Sequence, residues 1–147
     1  MEQLQNLDLS PTSAFGATLL RFILAAFWIA HWWFKVGYRG MPATEAFFQQ
    51  QALPAWLAWF DIYFEVVIAV CLVLGIYVSF LCVISLPILL ASMWIYRMNG
   101  FYFAGGGIEL PVFWACAQVA QIFLGPGAFR VPLPGWLQLP AVFGIRL

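Results

Sequence analysis

Four apolar stretches, each about 20 residues long and separated by polar or glycine-rich breaks, organise the chain; one helix needs about that length to cross a bilayer. The apolar run from 62 to 96 is too long for one crossing, and Gly75 with Ser79 marks a tight turn inside it. An AGGG segment at 104–107 and a Gly-Pro-Gly segment at 125–127 supply further breaks, because glycine relaxes the backbone and proline cannot continue a helix. The predicted membrane spans are residues 15–34, 55–74, 78–96 and 108–124.

The composition agrees with a membrane protein. Hydrophobic residues make up 65% of the 147 residues and charged residues 8%, whereas soluble domains carry roughly 25% charged residues. The formal net charge is zero, so there is no electrostatic basis for binding nucleic acid. We therefore predict an all-α integral membrane four-helix bundle that forms a single transmembrane domain over residues 1–147.

An even number of crossings defines two sides of this bundle. The N-terminus, the Gly75 turn and the C-terminal tail are expected on one side, called side A. The loops at 35–53 and 97–107 are expected on the other, called side B. In the first of these loops, Pro42 predicts a short helix through Phe47 and Phe48 that lies on the membrane surface. The Lys and Arg counts of the two sides are too similar to predict which side is cytoplasmic.

Ionisable residues inside the apolar stretches are the best sequence indication of function. Arg21, His31 and Lys35 lie in or at the end of the first stretch, and Asp61 and Glu65 lie in the second. A charge at that depth costs about 2.5–3.5 kcal/mol or more unless it is paired or reaches water. His31 with Lys35, and Asp61 with Glu65, are spaced four residues apart, so each pair shares one helix face.

Depth along the helices, at about 1.5 Å per residue, suggests how these groups meet. We expect Arg21 to reach Glu65 near the midplane and His31 to pair with Asp61 closer to side B. The mouth on side B is expected to collect three more groups, Lys35, Arg97 and Glu109.

Two interpretations of this arrangement stay open. The groups can be interhelical ion pairs that fix the register of the bundle, or they can line a water-filled or ligand-filled pocket that opens to side B. The number of ionisable groups favours the pocket, because register alone needs fewer. Catalytic residues are not assigned. The predicted ligand-binding residues are Arg21, His31, Lys35, Asp61, Glu65, Arg97 and Glu109.

Metal and redox centres find little support in the sequence. His31 is the single histidine, so one chain cannot supply bis-histidine haem ligation, and no Cys and His set has zinc-ligand spacing. Cys71, Cys82 and Cys116 lie in apolar runs and are interpreted as small buried hydrophobic residues. A disulfide between Cys71 and Cys82 is conceivable across the Gly75 turn, but nothing requires it. We predict no metal, no covalently bound cofactor and no redox centre within the chain.

Several short motifs follow one another along the chain. They are LRF with Arg21, FKVG with Lys35, FEVV with Glu65, LGIY with Gly75, GIELP with Glu109 and Pro111, and GPG at 125–127. In this order and spacing the sequence resembles the DoxX family of small four-helix membrane proteins over about residues 19–127. The resemblance implies a multi-pass protein of the cell membrane, with a bacterial inner membrane as the expected location.

The resemblance also implies a membrane subunit linked to quinone-dependent oxidoreductases, which include relatives of thiosulfate:quinone oxidoreductase. The expected ligand is then a quinone, and the expected partners are lipid and a larger membrane complex that exchanges electrons with the quinone. The alternative is a non-catalytic accessory or assembly subunit that docks onto a redox or pigment complex through its aromatic surface. An ion or solute transporter is disfavoured because the sequence has no pair of repeats with broken helices.

Overall fold

The computed structural model describes residues 10–137 of the chain, and most of these residues are helical. A six-residue π-helical segment, Phe34–Arg39, continues α1, and three single 3-10 turns lie at Arg97–Asn99, Phe103–Gly105 and Gly135–Leu137. This part of the chain contains no strand, which confirms the all-α prediction. The five α-helices of the described part are α1 (Pro11–Trp33), α2 (Met41–Gln50), α3 (Trp56–Leu74), α4 (Val78–Tyr96) and α5 (Glu109–Leu124).

Three helical stretches within residues 10–137 are long and apolar enough to cross a membrane. They are Pro11–Arg39, in which α1 and the π-helical segment are continuous, Trp56–Leu74 and Val78–Asn99. The helix at the fourth predicted span, α5, is also apolar but has only 16 residues. The chain is thus an all-α membrane helical bundle, and α3, α4 and α5 begin and end within one residue of the predicted spans. That the whole chain forms one domain stays a prediction.

The helices pack as two close pairs. α1 packs along α3, α4 packs along α5, and α1 also contacts α5. The buried core between them includes Leu24, Trp28, Ile68 and Leu72. Although α3 and α4 are consecutive, they make few contacts with each other beyond the turn at Gly75. The bundle therefore leaves a cleft between α3 and α4.

Small polar residues hold the α4–α5 pair together. Ser79 Oγ donates a hydrogen bond to the Ile122 carbonyl at 2.9 Å, and Gln118 Nε2 donates to the Cys82 carbonyl at 3.1 Å. The Gln118 amide also contacts Ser85 Oγ, and all of these side chains are buried. Small residues let helix backbones approach closely in a membrane. α5 therefore packs against α4 and, less extensively, against α1.

The segment after α5 folds back across side A. We call residues 126–131 the side-A strap. Its Ala128 N–H donates to Thr18 Oγ1 at 2.8 Å, and its Val131 N–H donates to the Leu74 carbonyl at 2.9 Å. The strap therefore connects α1 to the end of α3 and closes the bundle at this end.

The two-sided topology predicts which introduced cysteines can be labelled together. Ser10→Cys and Trp136→Cys, both at exposed positions near the ends of the described chain, should react with an impermeant thiol reagent from one side of the membrane. Gln51→Cys and Met98→Cys, in the two side-B loops, should react from the opposite side. The labelling is measured in sealed vesicles, with a protein in which the native cysteines have been replaced. Reaction of Ser10→Cys and Trp136→Cys from opposite sides would contradict the even number of crossings.

Candidate functional site

Lys35 lies at the centre of the buried charge cluster. It is the second residue of the π-helical segment, and its ammonium group contacts both Asp61 and Glu65 on α3. The bond from Lys35 Nζ to Glu65 Oε1 is 2.8 Å long. The Lys35 and Asp61 side chains are 12% and 11% exposed, and Glu65 is fully buried. One ammonium therefore serves two carboxylates inside the bundle.

His31 lies one helical turn before Lys35 in the sequence and completes the cluster. Its Nε2 atom is 3.9 Å from Glu65 Oε1, and its ring stands edge-on to the Trp114 ring at 5.7 Å. The second carboxylate oxygen of Glu65, Oε2, is buried and has no hydrogen-bond partner in the described part of the chain. Two neighbouring carboxylates repel unless a cation or a proton lies between them. Lys35 is the cation placed between them, and His31 is a second basic group beside Glu65.

A cavity of about 580 Å³ lies in the cleft between α3 and α4, next to this cluster. Its volume falls in the range of about 300–1,000 Å³ that is usual for small-molecule sites. The π-helical segment and α2 cover its side-B end. The acidic and basic residues that line it are His31, Lys35, Arg39 and Asp61.

The walls of the cavity are mainly apolar. α3 contributes Leu57, Phe60 and Phe64. The α4 residues that line it are three or four positions apart and thus form one helix face, which extends for about 18 Å at 1.5 Å per residue. These residues are Ile84, Pro87, Ile88, Ala91, Ser92, Ile95 and Tyr96. The site therefore combines charged side chains with a long apolar groove.

The predicted Arg21–Glu65 pair is wrong. Arg21 Nη1 donates to the Pro126 carbonyl at 2.7 Å and lies beside Gly75, while Glu65 is bound by Lys35. Arg21 is thus opposite the end of α3, ten residues beyond Glu65, which is about 15 Å along the helix.

The predicted pair of His31 with Asp61 is also wrong, because α1 is shifted along α3 relative to the prediction. The acid nearest to His31 is Glu65, and Asp61 bonds to Lys35 instead. Lys35 itself lies inside the cluster and not at a mouth above it. The helix begins at Pro11, four residues before the predicted span, and remains helical to Arg39. Lys35 therefore lies beside Glu65, where Arg21 was expected.

Arg97 and Glu109 are not part of the cavity. Arg97 stacks over the Trp94 ring at 3.6 Å and donates to the Trp94 carbonyl, and Glu109 Oε2 accepts a bond from the Phe103 N–H at 2.8 Å. Both side chains are exposed. The prediction that they meet Lys35 is therefore wrong, because each is used locally to shape the loop between α4 and α5.

Sequence reasoning missed the contribution of α2 and of the end of the π-helical segment. The predicted short helix is present as α2, but Phe47 and Phe48 line the cavity. Thr44 Oγ1 donates to the Lys35 carbonyl at 3.1 Å and so fixes α2 to the π-helical segment. Arg39 also lines the cavity. Its four-residue spacing from Lys35 was the available signal for placing both cations together.

Metal ligation and disulfide formation find no support in the described residues. Within residues 10–137 no three His, Cys, Asp or Glu side chains are grouped to hold a metal ion. Cys71, Cys82 and Cys116 are free thiols, so the conceivable Cys71–Cys82 disulfide is not formed.

Comparison with known families identifies the chain. The family model described as DoxX matches residues 16–98, more than half of the sequence. The chain belongs to the DoxX family. The part that matches this DoxX model contains all four acidic and basic residues of the cavity lining, together with Glu65. No curated protein and no solved structure matches the chain.

Proposed function

We propose that this DoxX-family protein is a membrane subunit of a redox complex and binds a quinone in the cavity between α3 and α4. The observation that carries the proposal is that charged side chains and an apolar groove line one cavity of about 580 Å³. In this proposal the complex lies in the cell membrane, and the resemblance to DoxX proteins points to a bacterial inner membrane.

The chemistry of the lining residues suits a quinone. A quinone head group needs hydrogen-bond donors for its two carbonyl oxygens and groups that exchange protons with it. Lys35 and His31 line the cavity and supply donors, and Asp61 supplies a carboxylate. The isoprenoid tail needs an apolar channel, which the α4 face and the phenylalanines of α3 provide. Glu65 lies behind the lining and connects to it through Lys35.

Electron transfer requires a partner in this proposal. The sequence supplies one histidine and three dispersed cysteines, so the quinone would exchange electrons with a redox centre of another subunit. The part of this chain is then to bind the quinone in the bilayer, orient its head group and exchange its protons. The coarser alternative is an accessory subunit without a ligand, and the binding experiment below distinguishes the two.

Filling the groove should weaken quinone binding. Ala91 lines the cavity on α4, so Ala91→Phe places a ring in the groove. We expect the affinity for a short-tailed menaquinone or ubiquinone to fall about tenfold or more, equivalent to about 1.4 kcal/mol. The measurement is saturable quenching of tryptophan fluorescence in lipid nanodiscs.

The matched control is the neighbouring residue on the outer face of the same helix. Leu90 is exposed and does not line the cavity, so Leu90→Phe should bind quinone like the unmodified protein. Equal affinities for both variants would contradict the cavity site. If the unmodified protein shows no saturable binding, the accessory-subunit alternative replaces the quinone proposal.

A further inference from the structure

Arg39 stands apart from the other charged groups of the cavity. It ends the π-helical segment and lines the cavity. Its guanidinium lies over two aromatic rings, 5.1 Å from the Phe34 centroid and 4.9 Å from the Phe47 centroid. It has no ion pair and donates no hydrogen bond to any residue of the described chain, 10–137. Its five N–H donors are therefore available to a ligand.

The neighbouring cations are already engaged. Lys35 binds two carboxylates, and Arg97 bonds to the Trp94 carbonyl. Asp61, the acid of the cavity lining, is bound to Lys35. Arg39 thus brings a positive charge to the cavity, and no carboxylate of residues 10–137 lies within ion-pair distance of it. The open charge favours a ligand that brings a negative one.

The aromatic surroundings hold this arginine in a defined position. Phe47 stacks on Tyr96 at 6.5 Å with an interplanar angle of 17°, so Arg39, Phe47 and Tyr96 form a continuous stack across the side-B end of the cavity. A planar guanidinium held on aromatic faces presents its N–H groups as a fork, and this fork matches the two oxygens of a carboxylate. Arg39 is therefore arranged to recognise an oxyanion.

We propose that the cavity takes an amphiphile with an acidic head group, and that Arg39 binds the acid while the apolar chain follows the α3–α4 groove. The acid is a carboxylate or an ionised ring hydroxyl. The arrangement places the head at the end of the continuous helix Pro11–Arg39, near the surface of side B, and the chain along the α4 face from Tyr96 towards Ile84. The inference rests on the cavity being the ligand site proposed above. It narrows the ligand to an acidic class, which includes a quinone with an ionised hydroxyl group.

Matched probes that differ in charge test the proposal. One pair is oleate and oleyl alcohol, and the other is 2-hydroxy-1,4-naphthoquinone and 1,4-naphthoquinone. Binding is measured in nanodiscs of zwitterionic lipid at alkaline pH, where the carboxyl is ionised. We expect at least one acid to bind about tenfold or more tightly than its neutral counterpart. A preference within the first pair indicates a lipid acid, and one within the second pair indicates an acidic quinone.

Variants of two arginines assign the preference to Arg39. In Arg39→Gln the acid and its neutral counterpart should bind equally, because the charge is removed. Arg39→Lys should keep part of the preference, since the charge is retained without the fork. Arg97→Gln, on the same side of the membrane but outside the cavity, should keep all of it.

The possible results separate the two proposals. Failure of all four probes to bind would contradict the cavity site itself. Binding of the neutral quinone with no preference for either acid would leave the quinone proposal standing and overturn this one. An acid preference that survives in Arg39→Gln would also overturn it. Even where a variant fails to fold, the preference of the unmodified protein for the acidic or the neutral probe still tests the proposal.

Discussion

Lys35→Met should destabilise the folded protein by about 3–5 kcal/mol, because it leaves Asp61 and Glu65 buried with no ammonium between them. Lys35 is the group that hydrogen-bonds both carboxylates, and Glu65 has no exposure to solvent. Removing one partner of a buried ion pair leaves the other charge uncompensated, which costs more than the pair itself contributed. The measurement is the unfolding free energy in mixed micelles, or the folded fraction after thermal challenge.

A control and a rescue make this prediction specific. Arg97→Met removes an exposed cation on the same side and should change the stability by less than about 1 kcal/mol. Combining Lys35→Met with Asp61→Asn and Glu65→Gln should restore much of the loss, because the unpaired charges are removed with the cation. The effects of Lys35→Met and Glu65→Gln should therefore not add. Strict additivity, or a Lys35→Met protein as stable as the original, would show that this cluster is not held together by charge.

This dual role of Lys35 affects how its function can be tested. The residue lines the proposed ligand site and also holds α1 to α3. Loss of activity in a Lys35 variant would therefore not distinguish a lost ligand from a lost fold. The comparison of Ala91→Phe with Leu90→Phe avoids this problem, because neither residue belongs to the charge cluster.

The helices were predictable from the sequence because their signals are local. Apolar runs of spanning length, interrupted at Gly75, 104–107 and 125–127, place α3, α4 and α5 within one residue of their observed ends. The turn at Gly75 follows from one residue as well. Its backbone has a φ of +73°, a left-handed conformation that glycine adopts without strain.

The register between helices was not predictable, because lipid-facing and core-facing positions are both apolar. Leu19, Val67 and Val70 are exposed in this bundle, whereas Leu24 and Ile68 form its core. The sequence pattern does not separate these two groups, so it gives no rotation or offset for α1 against α3. Charge pairing was then inferred from depth, so Arg21 was taken as the partner of Glu65, although Lys35, 14 residues further along the chain, is the residue that binds it.

The candidate site shows the same division between local and long-range information. His31, Lys35, Asp61 and Glu65 were all among the selected residues, because the four-residue spacing within each helix is a local signal. The predicted pairs between the helices were wrong, since Lys35 contacts both acids and His31 lies nearest to Glu65. Arg39 was missed because the π-helical segment was taken for a loop. Whether these residues bind a ligand stays a prediction.

Arg21 has a different role from the one expected, and its surroundings explain how a buried guanidinium is tolerated. Its side chain is 1% exposed and lies between Gly75, which ends α3, and Pro126, which follows α5. The C-terminal end of a helix carries a partial negative charge from its unpaired carbonyls. Two such ends meet at Arg21. No carboxylate of the described residues lies within ion-pair distance of it, so the two helix ends and the Pro126 carbonyl supply its compensation.

Arg21→Met should therefore destabilise the protein by about 2–4 kcal/mol. The loss combines a hydrogen bond from a charged donor, about 1.5–3 kcal/mol, with the interaction of the charge with the helix ends, up to about 2 kcal/mol. The side-A strap should also loosen, because Arg21 is bonded to its first residue. Unfolding in mixed micelles measures the stability, and hydrogen exchange of the Val131 and Ala128 amides measures the strap.

Arg130→Met is the matched control, since Arg130 is an exposed arginine in the same strap. It should leave both the stability and the amide exchange nearly unchanged. Arg21→Lys should recover part of the stability because it keeps a cation near the helix ends while losing the planar group that reaches Pro126. Gly75→Ala should also destabilise the protein, because a Cβ atom at Gly75 would overlap the Arg21 guanidinium and approach Arg130, on a residue with a left-handed backbone. If Arg21→Met matched Arg130→Met in both measurements, the helix ends would not be what holds this arginine in the membrane protein.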